Sequence, residues 1–107
     1  MNIEDMSELI KMKISKSEYQ IKLHTLQRCN ERGIMPCEIK EALLNGNIIE
    51  DYPDDNRGHS CLISGLTDED RNIHIVCGLS EDTVWIITTY EPSPTEWETP
   101  EKRMDTK

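Results

Sequence analysis

The N-terminal half of the chain places apolar residues three or four positions apart, the spacing of amphipathic helices. A first helix is predicted from Asn2, a candidate N-cap, to about Ser15. A second helix of two to three turns ends at Gly33, because glycine suits the left-handed position after a helix. A third begins with Pro36 in its first turn and ends near Gly46. The apolar positions behind these predictions are Ile3, Met6, Leu9, Ile10 and Ile14, then Leu26 and Cys29, then Ile39, Ala42 and Leu43.

The remaining pattern predicts strands. Residues 19–24 alternate apolar and polar side chains, from Tyr19 to Leu23, which indicates a short strand between the first two helices. Short polar links between the later runs favour an antiparallel meander, and we place its most apolar strand, the last, at the centre. The prediction is an α+β fold, with N-terminal helices on one face of a mainly antiparallel sheet of four to five strands. The later runs are Ile48–Tyr52, Cys61–Leu66, Ile73–Gly78 and Thr83–Tyr90.

The length of 107 residues fits one domain. We predict that it spans residues 1–98, with Trp85 in its core, and that residues 99–107 form a polar tail behind an anchor at Trp97. No apolar run approaches the ~20 residues of a membrane span. Acids near the N-terminus stand where an export signal needs a positive region and an apolar stretch. We therefore expect a cytoplasmic protein with no membrane partner.

Charge is distributed unevenly along the chain. The net charge is −9, made up of +1 over residues 1–32 and −10 over residues 33–107. Proteins that bind nucleic acid usually carry a basic surface, and here only the N-terminal third could provide one. The alternative is that its basic residues form an ordinary solvated helix face.

Neither the cysteines nor the acidic turn predicts a metal or cofactor. The cysteines form no C-x-x-C pair and no zinc-finger spacing with histidine, so we expect reduced, structural thiols. Three aspartates between residues 51 and 55 suit a solvated turn better than a metal site, because no second ligand cluster accompanies them. The cysteines are Cys29, Cys37, Cys61 and Cys77, and the aspartates are Asp51, Asp54 and Asp55.

Five motifs between residues 18 and 98 carry a family resemblance. They are His24-x-x-x-Arg28-x-x-x-Arg32-Gly33-Ile34, Glu41–Gly46, Ile48–Asp55, Ile73–Gly78 and Trp85–Pro92. In this order and spacing they resemble a family of small bacterial and archaeal proteins, the domain of unknown function numbered four-two-five-eight. That family is regarded as related to the RelE-like toxins of toxin–antitoxin systems. The resemblance implies a RelE-like domain over residues 1–98, with the helix of residues 1–15 outside the matching motifs.

The resemblance also implies an activity and partners. RelE-like toxins cleave RNA without a metal, which requires an acid, a base and cations that hold the phosphate. The partners implied are an antitoxin of the small zinc-finger type and RNA or the ribosome. A second copy of the chain is a further candidate partner, through the Lys-rich end of the first helix, which lies outside the resemblance. Histidine, tyrosine and arginine suit these roles. The candidates are His74 and Tyr90 for catalysis, and His24, Arg28, Arg32 and Arg57 for substrate binding.

The substrate-binding candidates also fit a purely structural role. His24, Arg28 and Arg32 are four residues apart, so on a helix they form one stripe that could bind phosphate. Alternatively, the two arginines pair with acids such as Glu31, and His24 caps the junction before the helix. Arg57 lies in a turn, where it contacts either substrate or water alone.

Strand register decides whether the catalytic candidates can meet. His74 lies within an apolar strand, as a core residue or facing a site, and Tyr90 could simply pack its ring at the end of the sheet. If Gly78 opposes Thr83, then Tyr90 lies on the opposite face from His74. If the register shifts by one, His74 opposes Thr88 and shares a face with Tyr90. Two functions remain: a toxin-type ribonuclease, or a non-catalytic module (a degenerate toxin) that binds a protein, which the acidic charge favours.

Overall fold

The computed structural model describes residues 2–56, 58–80 and 83–93, and the backbone of residues 97–99 and 102–103. Its helices are α1 (Ile3–Ser15), α2 (Leu23–Glu31) and α3 (Pro36–Asn45). Its strands are β1 (Tyr19–Ile21), β2 (Asn47–Tyr52), β3 (Ser60–Leu66), β4 (Asn72–Ser80), β5 (Thr83–Tyr90), β6 (Trp97–Thr99) and β7 (Lys102–Arg103). The α+β class predicted from the sequence is confirmed.

Local chemistry explains where the helices begin and end. The Asn2 side chain accepts a hydrogen bond from the Asp5 N–H at 2.8 Å, which caps α1. Gly33 follows α2 with a φ of +68°, the left-handed conformation that glycine adopts without steric cost. In α3, Pro36 occupies the first turn, where a missing N–H costs nothing, and Glu38 accepts from the Met35 N–H at 2.9 Å.

One predicted boundary is wrong. The sequence alternation extends the first strand to Leu23, but β1 ends at Ile21 and α2 begins at Leu23, whose side chain is 71 % exposed. Only Tyr19 to Ile21 pair with β5. Alternation over so few residues does not distinguish a strand from the first turn of the helix that follows it.

Five strands form one sheet, in the order β1-β5-β4-β3-β2. Strands β2 to β5 are the expected antiparallel meander, and β1 adds to the edge of β5 in parallel. The central strand is therefore β4, and the prediction that Thr83–Tyr90 is central is wrong. An apolar, β-branched composition indicates a strand with neighbours on both edges, and β5 satisfies that condition one position from the centre.

The core lies between the helices and one face of the sheet. Side chains of all three helices contribute, and α3 lies so close to β3 that a Cβ on Gly65 would stand 1.9 Å from the carbonyl oxygen of Ala42. No helix among the described residues is long and apolar enough to cross a bilayer. The core includes Met6, Ile10 and Ile14 from α1, Cys29 from α2, Ile39, Ala42 and Leu43 from α3, and Ile63, Ile75 and Ile86 from the sheet.

Two cysteine thiols meet within this core. Cys61 and Cys77 oppose each other across β3 and β4, fully buried, with their sulfur atoms 3.8 Å apart. Both are free thiols. The hydrogen bond between them, followed by burial, raises the pKa of the Cys77 thiol. A thiol held in its protonated form behaves as a small apolar core residue.

Candidate functional site

A β-bulge in β5 sets which side chains share a face. The β4–β5 ladder pairs Cys77 with Ile86 and then Val76 with Thr88, which leaves Ile87 as the extra residue in β5. Beyond the bulge, the register is shifted by one, so side chains that follow Ile87 change face relative to an unbroken ladder.

The bulge places His74 directly opposite Tyr90. Their rings meet edge to face, with centroids 5.3 Å apart and planes at 64°. Neither register expected from the sequence is correct, because both misplaced the pairing at the turn and neither included a bulge. The hairpin opens with Ser80 opposite Thr83, and without the bulge that register would pair His74 with Thr89.

The pair lies on the sheet face away from the core, and its members differ in access. On that face His74 stands between Ser64 on β3 and Tyr90 on β5. The His74 side chain is fully buried, whereas Tyr90 is half-buried. The phenol is therefore the member of the pair that an outside molecule can touch.

Along the outer edge of β5, helix α2 lies beside the residues that β1 does not reach. Since β1 covers only residues 84–86, the later carbonyl groups of β5 need other donors. The Thr25 hydroxyl donates to the Ile87 carbonyl oxygen at 3.2 Å, and Arg32 Nη1 donates to the Thr89 carbonyl oxygen at 2.6 Å. Between them, Cys29 Sγ lies 2.8 Å from Thr89 Oγ1. These contacts fix α2 beside the bulge.

The predicted stripe is formed on α2. His24, Arg28 and Arg32 are exposed and line a shallow cleft of about 140 Å³ against the β5 edge. In the described part of the chain neither arginine has an ion-pair partner, so the expected pairing with acids such as Glu31 does not occur there. Nor does His24 cap the junction, since the N-cap of α2 is Lys22, whose side chain makes no capping bond.

A larger cleft of about 410 Å³ continues the first toward the hairpin. Both clefts are lined by His24, and the larger one adds Lys22 and Trp85. The Lys22 ammonium lies 5.7 Å from the centroid of the Trp85 ring, a cation–π contact. Every ionisable side chain among the described residues that line the two clefts is basic.

Sequence reasoning missed two residues of this surface. Trp85 was assigned to the core, but it is only half-buried and opposes Gly78, on the face away from the helices. Lys22 was assigned no role. Their proximity depends on the parallel pairing of β1 with β5, which no local pattern indicates. The one available signal was a lysine just before a helix that already carried a basic stripe.

Two other predictions concern the segment between β2 and β3. Arg57 lies outside the described residues. In the acidic turn, Asp51 Oδ1 lies 2.5 Å from His59 Nε2, and the described residues contain no cluster of three or more groups suited to a metal.

Arg71 anchors the ends of the elements that carry the site. Its guanidinium donates to the Gly33 carbonyl oxygen after α2 at 2.7 Å, to Glu38 on α3 at 3.1 Å and to Glu91 after β5 at 2.8 Å. The Met35 N–H and then Arg71 lower the pKa of Glu38. Arg71 likewise lowers the pKa of Glu91, and the two carboxylates raise its own pKa.

The structure thus brings the predicted residues together in part. The stripe ends beside the backbone at one end of β5, where Arg32 binds the carbonyl group of the residue before Tyr90, but the Tyr90 side chain is not among the described residues that line either cleft. His74 lies one strand further in, behind Tyr90.

Comparison with known proteins identifies a family. No curated protein and no solved structure matches the chain. The sequence profile of the family described as Domain of unknown function (DUF4258) matches residues 21–91, which run from the end of β1 to the residue after β5. That match includes the basic stripe, the bulge and the His74–Tyr90 pair. The chain belongs to the DUF4258 family.

Proposed function

We propose that this protein is a metal-independent endoribonuclease of the RelE-like toxin type, controlled by a protein antitoxin. The observation that carries the proposal is the row of basic side chains on α2 and at its C-cap, His24, Arg28 and Arg32, which line a cleft along the edge of β5 as far as the backbone beside Tyr90. Neither arginine has an ion-pair partner among the described residues. In a chain of net charge −9, a groove whose ionisable side chains are all basic among its described residues suits an anionic polymer.

The chemistry assigns each group a role. Arg28 and Arg32 bind the phosphate and stabilise the charge that develops on it. The ribose 2′-hydroxyl attacks that phosphate, its proton passes to the base, and the 5′-oxygen leaves with a proton from the acid. Tyr90 is the group in contact with the RNA and exchanges these protons with it. His74, which lies one strand further in, exchanges a proton in turn with Tyr90. His24 binds a neighbouring phosphate.

The burial of His74 favours a second candidate, a degenerate toxin that binds a protein and cleaves nothing. Its side chain is 0 % exposed, whereas a general acid or base needs a path to substrate. The acidic charge suits a basic protein partner, and β2, with β3 on one side and no strand on the other in the described sheet, offers an edge for one.

Growth of a bacterial host after induction tests the ribonuclease. We expect the wild type to arrest growth and Tyr90→Phe, which removes only one hydroxyl, to relieve the arrest. Arg28→Glu should relieve it as well, while the exposed Glu69→Gln should not. Circular dichroism confirms that each variant folds.

Each other outcome contradicts a defined part of the proposal. Normal growth with a folded, abundant wild type rules out toxicity and supports the binding module. Arrest that persists in Tyr90→Phe removes Tyr90 from the chemistry. Arrest that persists in Arg28→Glu removes the stripe from substrate binding.

A further inference from the structure

The cleft between Lys22 and Trp85 has no role in the chemistry proposed above. It adjoins the basic stripe, with His24, Thr25 and Ile87 common to both clefts. Its volume of about 410 Å³ exceeds the 140 Å³ or so of the cleft at the stripe. A molecule that lies along the stripe therefore continues directly into this space.

The floor of the cleft leaves one side of an aromatic ring open. Trp85 opposes Gly78, so no side chain of β4 stands next to the ring in that pair. Ile87, displaced by the bulge, forms the adjacent apolar wall, with its Cδ1 atom 3.4 Å from where a Cβ on Gly78 would lie. The missing side chain at Gly78 and the position of Ile87 in the bulge thus leave a slot beside the indole ring of Trp85.

Lys22 is the group now in contact with the ring. Its ammonium lies 5.7 Å from the ring centroid, and its side chain is exposed. An exposed cation–π contact at that distance is weaker than the stacking of a nucleobase on an aromatic side chain. A base can therefore take the place of the ammonium, and the flexible lysine then reaches the adjoining phosphate.

We propose that this cleft binds an unpaired base of single-stranded RNA, stacked on Trp85, next to the nucleotide whose phosphate lies on the stripe. This inference rests on the proposed function, since it takes RNA as the ligand. A base within a duplex is stacked on its neighbours and cannot reach the ring, so the site selects single strands.

Tryptophan fluorescence tests the site without requiring cleavage. The chain has two tryptophans, so Trp97→Phe leaves Trp85 as the only reporter. The probe is a short single-stranded RNA with 2′-O-methyl riboses, which cannot supply the attacking hydroxyl. We expect this RNA to quench Trp85 on binding, and an abasic sugar–phosphate oligomer of equal length to bind without quenching.

Two variants separate the cleft from the stripe. Gly78→Val fills the slot with a residue that suits a strand and keeps the reporter, and we expect it to abolish quenching and weaken binding about tenfold. Arg28→Glu should weaken RNA and the abasic oligomer alike. Trp85→Phe keeps an aromatic face and should retain most of the affinity in an anisotropy assay.

The results distinguish failure of this site from failure of the proposed function. Quenching that requires bases, in a protein that cuts no RNA, supports the site and refutes the nuclease. Cleavage with Arg28-dependent binding but no quenching of Trp85 at saturation overturns the site alone. Equal quenching by the abasic oligomer also overturns it, because the ring then senses phosphate rather than a base.

Discussion

Single side chains hold the distant parts of this molecule in place, and Arg71 is the clearest case. It lies between β3 and β4, yet it binds the backbone after α2 and carboxylates on either side of the site. Its partners are residues 33, 38 and 91, so no short sequence pattern around Arg71 indicates these contacts. Its role is to fix where α2 ends and α3 begins relative to β5.

Arg71→Met should lower the free energy of unfolding by about 1–3 kcal/mol, because it leaves the Gly33 carbonyl and Glu38 without their charged donor. Urea denaturation at neutral pH measures this loss. Arg28→Met is the matched control, since that guanidinium has no hydrogen-bond or ion-pair partner among the described residues, and it should leave stability unchanged. An equal effect of both changes would contradict the anchoring role.

The same contacts predict how stability depends on pH. A carboxylate whose pKa is lower in the folded protein stabilises the fold above its ordinary pKa, and that contribution is lost as pH falls through the lowered value. Glu38 and Glu91 have such pKa values, below the usual 4.5, and Glu91 contributes less because it is more than half exposed. Stability of the wild type should therefore fall below about pH 4.5, and fall less steeply in Arg71→Met.

Among the elements, α3 and β3 make the closest contact. Gly65→Ala should cost about 3 kcal/mol, because the new Cβ would meet the Ala42 carbonyl oxygen at 1.9 Å and neither backbone can move independently. Gly33→Ala should cost about 1–2 kcal/mol, since its left-handed φ is strained for alanine but nothing lies within 4 Å. Thermal or urea unfolding of both variants measures the difference. A smaller loss for Gly65→Ala than for Gly33→Ala would refute the close contact.

The three helices and strands β1 to β5 were readable from the sequence, whereas β6 and β7 were not, and the arrangement of the elements was readable only in part. Periodicity, Asn2, Gly33 and Pro36 define the helices, because those signals act within a few residues. The stripe on α2 was readable for the same reason. The bulge at Ile87 and the parallel addition of β1 were not, because both depend on which strands meet. Trp85 was misassigned because the sequence does not show which face of β5 packs against the helices.

At the scale of the whole molecule, charge works in two directions. Under the proposed function, the net charge of −9 would repel RNA at long range, while Lys22, Arg28 and Arg32 would attract it locally. If each of these three side chains neutralises one phosphate, the logarithm of the RNA-binding constant should fall linearly as the logarithm of the salt concentration rises, with a slope of about −2. Titrations of single-stranded RNA at several salt concentrations measure it. Arg28→Glu should reduce the slope, and a slope near zero would rule out a phosphate-binding stripe. Association with an antitoxin or with a second copy of the chain stays a prediction.

The bulge at Ile87 gives β5 one residue that has no partner on β4. A relative without that residue would pair the two strands in step from Trp85 onward and would still set its tyrosine opposite the histidine, because the facing stretch of β4 is one residue shorter. The number of positions between those two aromatics therefore records whether the bulge is present, and with it the apolar wall that Ile87 gives the larger cleft. A single-codon deletion of Ile87 would remove that wall while keeping the tyrosine and the histidine paired.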